Sequence, residues 1–136
     1  IYLTYIRSIL EQSAVVWHSS LTSKNRRDLE RVQKVDVRVI LQNRYTNYKN
    51  GLKLLKLETL QERRKMLCLR FAKDCLKNEK VKDVFPRKAN NHKMKKRKAE
   101  KYKVNRTNTK RYKISAIPYM QNLLNEDHAK SLKAMQ

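Results

Sequence analysis

Four cations recur along one stretch of the chain at spacings that suit a polyanion. Arg27, Arg31, Lys34 and Arg38 stand at i, i+4, i+7 and i+11. Wound as a helix at about 100° per residue, they form a single line. Such a line neutralises phosphates and performs no bond chemistry of its own. Further cations follow: Arg63, Arg70 and Lys73 lie outside the apolar arc of a later helix. Lys95, Lys96, Arg97 and Lys98 form an unbroken run, and Arg111 ends the series. Tyr102 and Tyr112 interrupt the later charges, and a ring between cations suits stacking on nucleic acid. The plain alternative at each position is a solvated face, the usual state of a helix exterior.

Catalytic groupings are missing. Gly51 is the single glycine, so there is no Gly-rich phosphate loop. No two Asp are paired, which leaves two-metal phosphoryl chemistry without obvious ligands. His18, His92 and His128 stand singly, and none makes a metal-ligand spacing with Cys68 or Cys75. The sequence therefore implies no metal, no cofactor and no catalytic residue. The chain alone reads as a binding element rather than an enzyme.

Composition points the same way. The 136 residues carry 34 Lys+Arg against 12 Asp+Glu, a net charge of +22. That much self-repulsion destabilises a compact state unless a polyanion offsets it. Nucleic acid is the first candidate and an anionic membrane surface the second. The basic tail has no apolar face to insert, which sets the membrane aside. One Gly and two Pro argue against an all-β fold. Helix formers dominate, so the expected fold is all-α: a small bundle of three to four helices with a basic, largely disordered C-terminal extension. Two cysteines make no disulfide framework, and free thiols suit a reducing, intracellular setting, nuclear or cytoplasmic. No signal peptide is visible, and no apolar run approaches the roughly 18 residues of a membrane span. The lack of an initiator Met suggests a chain cut from something larger.

The elements that must position these side chains follow from periodicity. Tyr2 to Trp17 reads as one helix, with Ile6, Ile9, Leu10, Ser13, Val16 and Trp17 recurring at three- and four-residue steps, Tyr2 and Tyr5 extending the pattern, and Trp17 as a core anchor. Thr22, or else Ser23, caps the next helix, whose main run is Lys24 to Leu41. There Leu29, Val32, Val35, Val39 and Ile40 form an apolar arc opposite the cation line. Asp36 falls in the middle of that arc with no basic residue at i±3 or i±4. It must find a distant cation, with Arg64 a candidate, or stay near water. Asn47 can cap a short turn holding Leu52, Leu54 and Leu55, which Gly51 weakens by about 1 kcal/mol relative to Ala. Thr59-Leu-Gln-Glu62 matches a capping box and opens a helix to about Lys77. From Pro86 to Lys113 there are 13 Lys/Arg and one acid. Such a stretch cannot bury a core. Ser115 caps a last short helix with Pro118 in its first turn, fraying after Glu126. The expected division is 1–85 helical, 86–114 basic linker, 115–136 short helix and frayed end.

Three runs together carry a family resemblance: Tyr5-Ile-Arg-Ser-Ile-Leu-Glu11, Val15-Val-Trp17-His-Ser-Ser-Leu-Thr22, and Leu29-Glu-Arg-Val-Gln-Lys34. They resemble the region after the catalytic palm in reverse transcriptases of non-LTR retrotransposons of the jockey-like kind. The match extends through Glu62-Arg63-Arg64, Leu67-Cys-Leu-Arg-Phe-Ala-Lys73 and Ser115-Ala-Ile-Pro-Tyr119, so it covers nearly the whole chain. It departs from the family pattern at Ser8, where that pattern has Pro, and at Gln12-Ser13, where it has Tyr-Gly. Asp36 stands where the pattern has a small apolar residue, and Gln42 where it has Gly. The resemblance implies a thumb and C-terminal extension that grips the template–primer duplex of an RNA-directed DNA polymerase. The palm and endonuclease of such a parent lie elsewhere, so polymerase and nicking activities belong to the parent.

Three functions compete. The first is a thumb fragment holding an RNA–DNA hybrid or RNA without sequence preference. The second is an independent basic helical scaffold for a structured RNA within a ribonucleoprotein. The third is an inactive remnant of a decayed element, with Asp36 as the damage.

Overall fold

The computed structural model describes residues 1–86, 101–104 and 106–134. Among them the chain is all-α, with seven α-helices joined by π and 3-10 turns and no strand. It divides into two compact units, Ile1–Leu67 and Cys68–Gln136. The division falls inside a helix rather than at Pro86, where the composition shifts.

In the first unit a π turn, Tyr2–Ile6, leads into α1, Arg7–Glu11, followed by α2, Ala14–Trp17. The single helix expected over Tyr2 to Trp17 is therefore broken. Gln12 is extended at ψ 125° and Ser13 is left-handed at φ 51°. The Trp17 indole N–H donates to the Gln12 carbonyl at 2.8 Å, which braces the break, and the residue is half-buried rather than fully buried. Tyr2, Ala14 and His18 are the buried residues of this stretch.

The caps fall where side-chain chemistry places them. Thr22 Oγ1 accepts from the Asn25 N–H at 3.2 Å and opens α3, Ser23–Leu41. Asn47 Oδ1 accepts from the Asn50 N–H at 2.8 Å and opens α4, Tyr48–Leu54. Thr59 and Glu62 form the reciprocal box, each backbone N–H donating to the other's side chain, and α5 runs Leu60–Lys77. Each such cap is worth about 1 kcal/mol.

Helix α3 faces its unit differently from the expected apolar arc. Val37 is fully buried, beside Gln33, whose amide donates to the Glu58 carbonyl at 3.0 Å. Glu30 accepts the Tyr48 hydroxyl. Val32, Val35 and Val39 are instead 41%, 55% and 65% exposed. Two physical reasons explain the rotation. The inward polar groups find hydrogen-bond partners, which removes most of their burial cost. Helix α4 can also approach closely at Val37, because Gly51 opposes it. Asp36 ends at the edge of the packed face with its Oδ2 buried and without a hydrogen-bond partner. Burial alone pushes its carboxyl above the usual carboxylate range. The pairing with Arg64 is not formed, since a guanidinium at Asp36 would lower that pKa.

The second unit contains α5 from Cys68 onward, a 3-10 turn at Lys82–Val84, α6, Lys110–Lys113, and α7, Ala116–Ala134. Its core comprises Cys68, Ala72, Phe85, Tyr102, Met120, Leu123 and Leu124. Polar side chains lock the backbone around it. The Gln121 amide donates to the Val84 carbonyl at 3.2 Å, and Asn125 both accepts from the Tyr102 N–H, at 2.9 Å, and donates to the Tyr102 carbonyl, at 3.0 Å. Lys103 donates its N–H to the Pro86 carbonyl at 2.9 Å. The basic stretch expected as a linker is thus pinned where it is described. Helix α7 runs 19 residues, well past the expected fraying point at Glu126. The Ser115 hydroxyl, expected as its cap, donates to the Tyr112 carbonyl at 2.7 Å.

Candidate nucleic-acid interface

The cation line predicted on α3 is present as a surface feature. Arg27, Arg31, Lys34 and Arg38 are all exposed. Lys24 extends the line by one turn, and the resulting 3-4-3-4 spacing keeps five charges in register along the 19-residue helix. None of the five makes an ion pair among the described residues, whereas Arg7, Arg63, Lys73, Lys77 and Lys82 do. The inward side of α3 sets the position, with the cations on its flank. Thr22 fixes where α3 starts, and Val37 and Gln33 fix which side turns inward. Lys24 was not among the residues singled out from sequence, although its spacing from Arg27 and Arg31 carried the signal.

The other candidates are not equivalent. In the first unit Arg63 is tied inward: its Nε donates to Glu11 Oε1 at 2.8 Å, and Arg7 approaches the same carboxylate at 3.8 Å. In the second unit Lys73 pairs with Asp127 at 2.7 Å, and Arg70 and Arg111 are exposed. Tyr102 does not offer its ring as a stacking surface, because the residue is 8% exposed and its backbone is clamped by Asn125. Tyr112 is more than a third exposed on α6. Lys95, Lys96, Arg97 and Lys98 lie outside the described residues.

A second cationic grouping escaped the sequence reading. Arg64 is fully buried, with its guanidinium 5.7 Å from the centre of the Trp17 ring. A cation over an indole face is attracted by the ring quadrupole. Beside it His18 is buried, and its imidazole is lowered from 6.5 to about 4. Burial is the main cause, followed by the positive charges of Arg64, Arg26 and Lys65. His18 is therefore neutral at physiological pH. Periodicity could not show this cluster, because His18 sits in a 3-10 turn, His18–Ser20, and Arg64 on a helix far away in sequence.

Among the described residues no group of three His, Cys, Asp or Glu could hold a metal ion, and no helix is long and apolar enough to cross a membrane. Neither Cys68, which is buried, nor Cys75 forms a disulfide among the described residues, and burial, then Asp74, raises the Cys75 thiol. The described side chains of α3 offer a row of exposed charge that suits an anion. No protein-family model, curated protein or solved structure matches the chain.

Proposed function

We propose that this chain grips nucleic acid through its phosphates, without sequence preference, using the cation line of α3. The observation that carries this reading is the contrast in charge pairing. Arg63, Lys73, Lys77 and Lys82 are engaged by carboxylates, while Lys24, Arg27, Arg31, Lys34 and Arg38 make no ion pair among the described residues. The partner fitting best is an RNA–DNA hybrid or duplex RNA, read by backbone shape. This corresponds to the thumb of a non-LTR reverse transcriptase, a role in which palm and endonuclease would be supplied by the parent. Backbone geometry supports that parentage. Ser13 and Gln42 have φ of 51° and 44°. Those are the two positions at which the resembling family carries glycine, the residue that takes positive φ without strain.

The test is a salt titration of binding to a hybrid duplex. Affinity should fall by several orders of magnitude between about 50 and 200 mM salt. Replacing Arg27, Arg31, Lys34 and Arg38 by Gln should reduce the slope of log K against log salt by about 0.9 for each phosphate contact removed. A salt-independent affinity, or an unchanged slope in that variant, would overturn the reading.

One observation favours the remnant reading instead: the buried, unpartnered Oδ2 of Asp36. A chain damaged there should bind weakly and gain markedly in stability when the carboxylate is removed.

A further inference from the structure

We infer that the exposed valine stripe of α3, with the groove at Trp17 beside it, docks an acidic amphipathic helix of a partner protein. Val32, Val35 and Val39 stand at i, i+3 and i+7 and are each about half exposed. Around the N-terminal half of α3 the stripe deepens into a groove of about 460 Å³, lined by Trp17, Leu21, Leu29 and Val32, with Asn25 and Asp28 at its polar side. A continuous apolar surface of this kind marks an interaction site, whereas scattered single apolar residues do not.

The shape selects a helix. An apolar ridge over about two turns, Val32 to Val39, opening into a groove at one end, matches the i, i+3, i+4, i+7 anchors of an amphipathic helix laid alongside. The charge selects its sign. Around α3, Arg31 and Arg38 lie directly beside Val35, with Lys24 in the same row. They are exposed and make no ion pair among the described residues. A partner with Glu or Asp along the flank of its apolar stripe therefore meets attraction along the whole length. A second copy of this chain meets the opposite: at +22 each, two copies repel. Nucleic acid satisfies the cations but leaves the valines uncovered. Asp28, in the groove, adds one element of specificity, since it asks for a cation or donor at that end of an otherwise acidic helix.

The inference does not rest on the nucleic-acid reading, and one experiment separates them. The full chain is titrated with a designed helix of about 18 residues, nearly the length of α3, carrying Leu on one stripe and Glu elsewhere and no Trp. Trp17 is the only tryptophan in the chain, so its fluorescence reports on the groove itself. The Leu/Glu helix should shift Trp17 emission to the blue, and Val35→Ser with Val39→Ser should weaken it roughly ten-fold or more. The same double variant should leave hybrid-duplex affinity unchanged, whereas Arg31→Gln with Arg38→Gln should weaken both ligands. Both pairs are exposed, and circular dichroism of each variant checks that helicity is retained. Four results would overturn the inference. These are equal binding of a poly-Glu peptide without leucines, equal or tighter binding of a Leu/Lys helix, no loss in the valine variant, and self-association through this face in sedimentation.

Discussion

Gly51 packs directly on Val37. A Cβ built at Gly51 would lie 2.5 Å from Val37 Cγ1 and 3.2 Å from Leu41 Cδ1. The only glycine of the chain thus marks a close approach of α4 to α3, and it helps decide which side of α3 turns inward.

Gly51→Ala should therefore destabilise the chain, although helix propensity alone favours Ala by about 1 kcal/mol. Overpacking against fully buried Val37 should outweigh that gain, giving a net loss of about 1–2 kcal/mol. Urea denaturation followed by circular dichroism measures it. A rise in midpoint would mean that α4 is not seated on Val37. The double variant Gly51→Ala with Val37→Ala should recover part of the loss by making room for the methyl group.

His18 makes stability depend on acid. Its folded pKa is about 4 against an ordinary 6.5, so between those values the unfolded chain binds the proton that the folded chain refuses. Protonation then favours unfolding. The stability that depends on neutral His18 is full above about 6.5 and is lost as pH falls toward 4. Its size is on the order of 3 kcal/mol. His18→Gln should flatten the pH profile of the melting temperature across this window. An unchanged profile in the variant would show that neither burial nor the charges of Arg64, Arg26 and Lys65 disfavour the protonated imidazole.

Local chemistry was legible in the sequence, and long-range choice was not. Thr22, Asn47 and the Thr59–Glu62 box cap the helices they announce, because a cap needs only its own three or four neighbours. The cation line of α3 was legible for the same reason. The inward side of α3 was not, because it depends on Gly51, Tyr48 and Glu58 meeting Val37, Glu30 and Gln33 from other segments. Tyr102 was misread in the same way: among lysines it resembled a stacking residue, but Asn125 clamps its backbone and the residue is buried. The break at Ser13 has no periodic signature at all, since apolar spacing continues across it.

Ser13 and Gln42 both hold φ near 50°, a region that costs a residue with a Cβ about 1–2 kcal/mol. Ser13→Gly and Gln42→Gly should each stabilise the chain by about 0.5–1 kcal/mol after the extra flexibility of the unfolded glycine is subtracted. Lys56, at φ 52°, follows α4 and should behave likewise. Thermal unfolding of the three single variants checks this, and the gains should add because the positions are separate. Loss of stability in Ser13→Gly would show that the kink between α1 and α2 is not a strained left-handed turn.

Asp36 offers the largest single gain. Its Oδ2 is buried without a partner, and burial raises its pKa. For an acid raised on folding, the sign is opposite to that of His18. The folded chain holds the proton more tightly, so stability falls as pH rises from the ordinary carboxylate range through the raised pKa, and the full penalty is present at neutral pH. Asp36→Asn should remove that pH dependence while keeping the shape. Asp36→Ala should remove the unsatisfied oxygen as well and stabilise the chain at pH 7 by about 1–3 kcal/mol. The pair of variants separates charge from hydrogen bonding: equal gains assign the cost to the charge, and a gain in Ala alone assigns it to the orphaned oxygen. A stability loss in both would mean that Asp36 is held by a partner in solution, and the case for a decayed chain would fall with it.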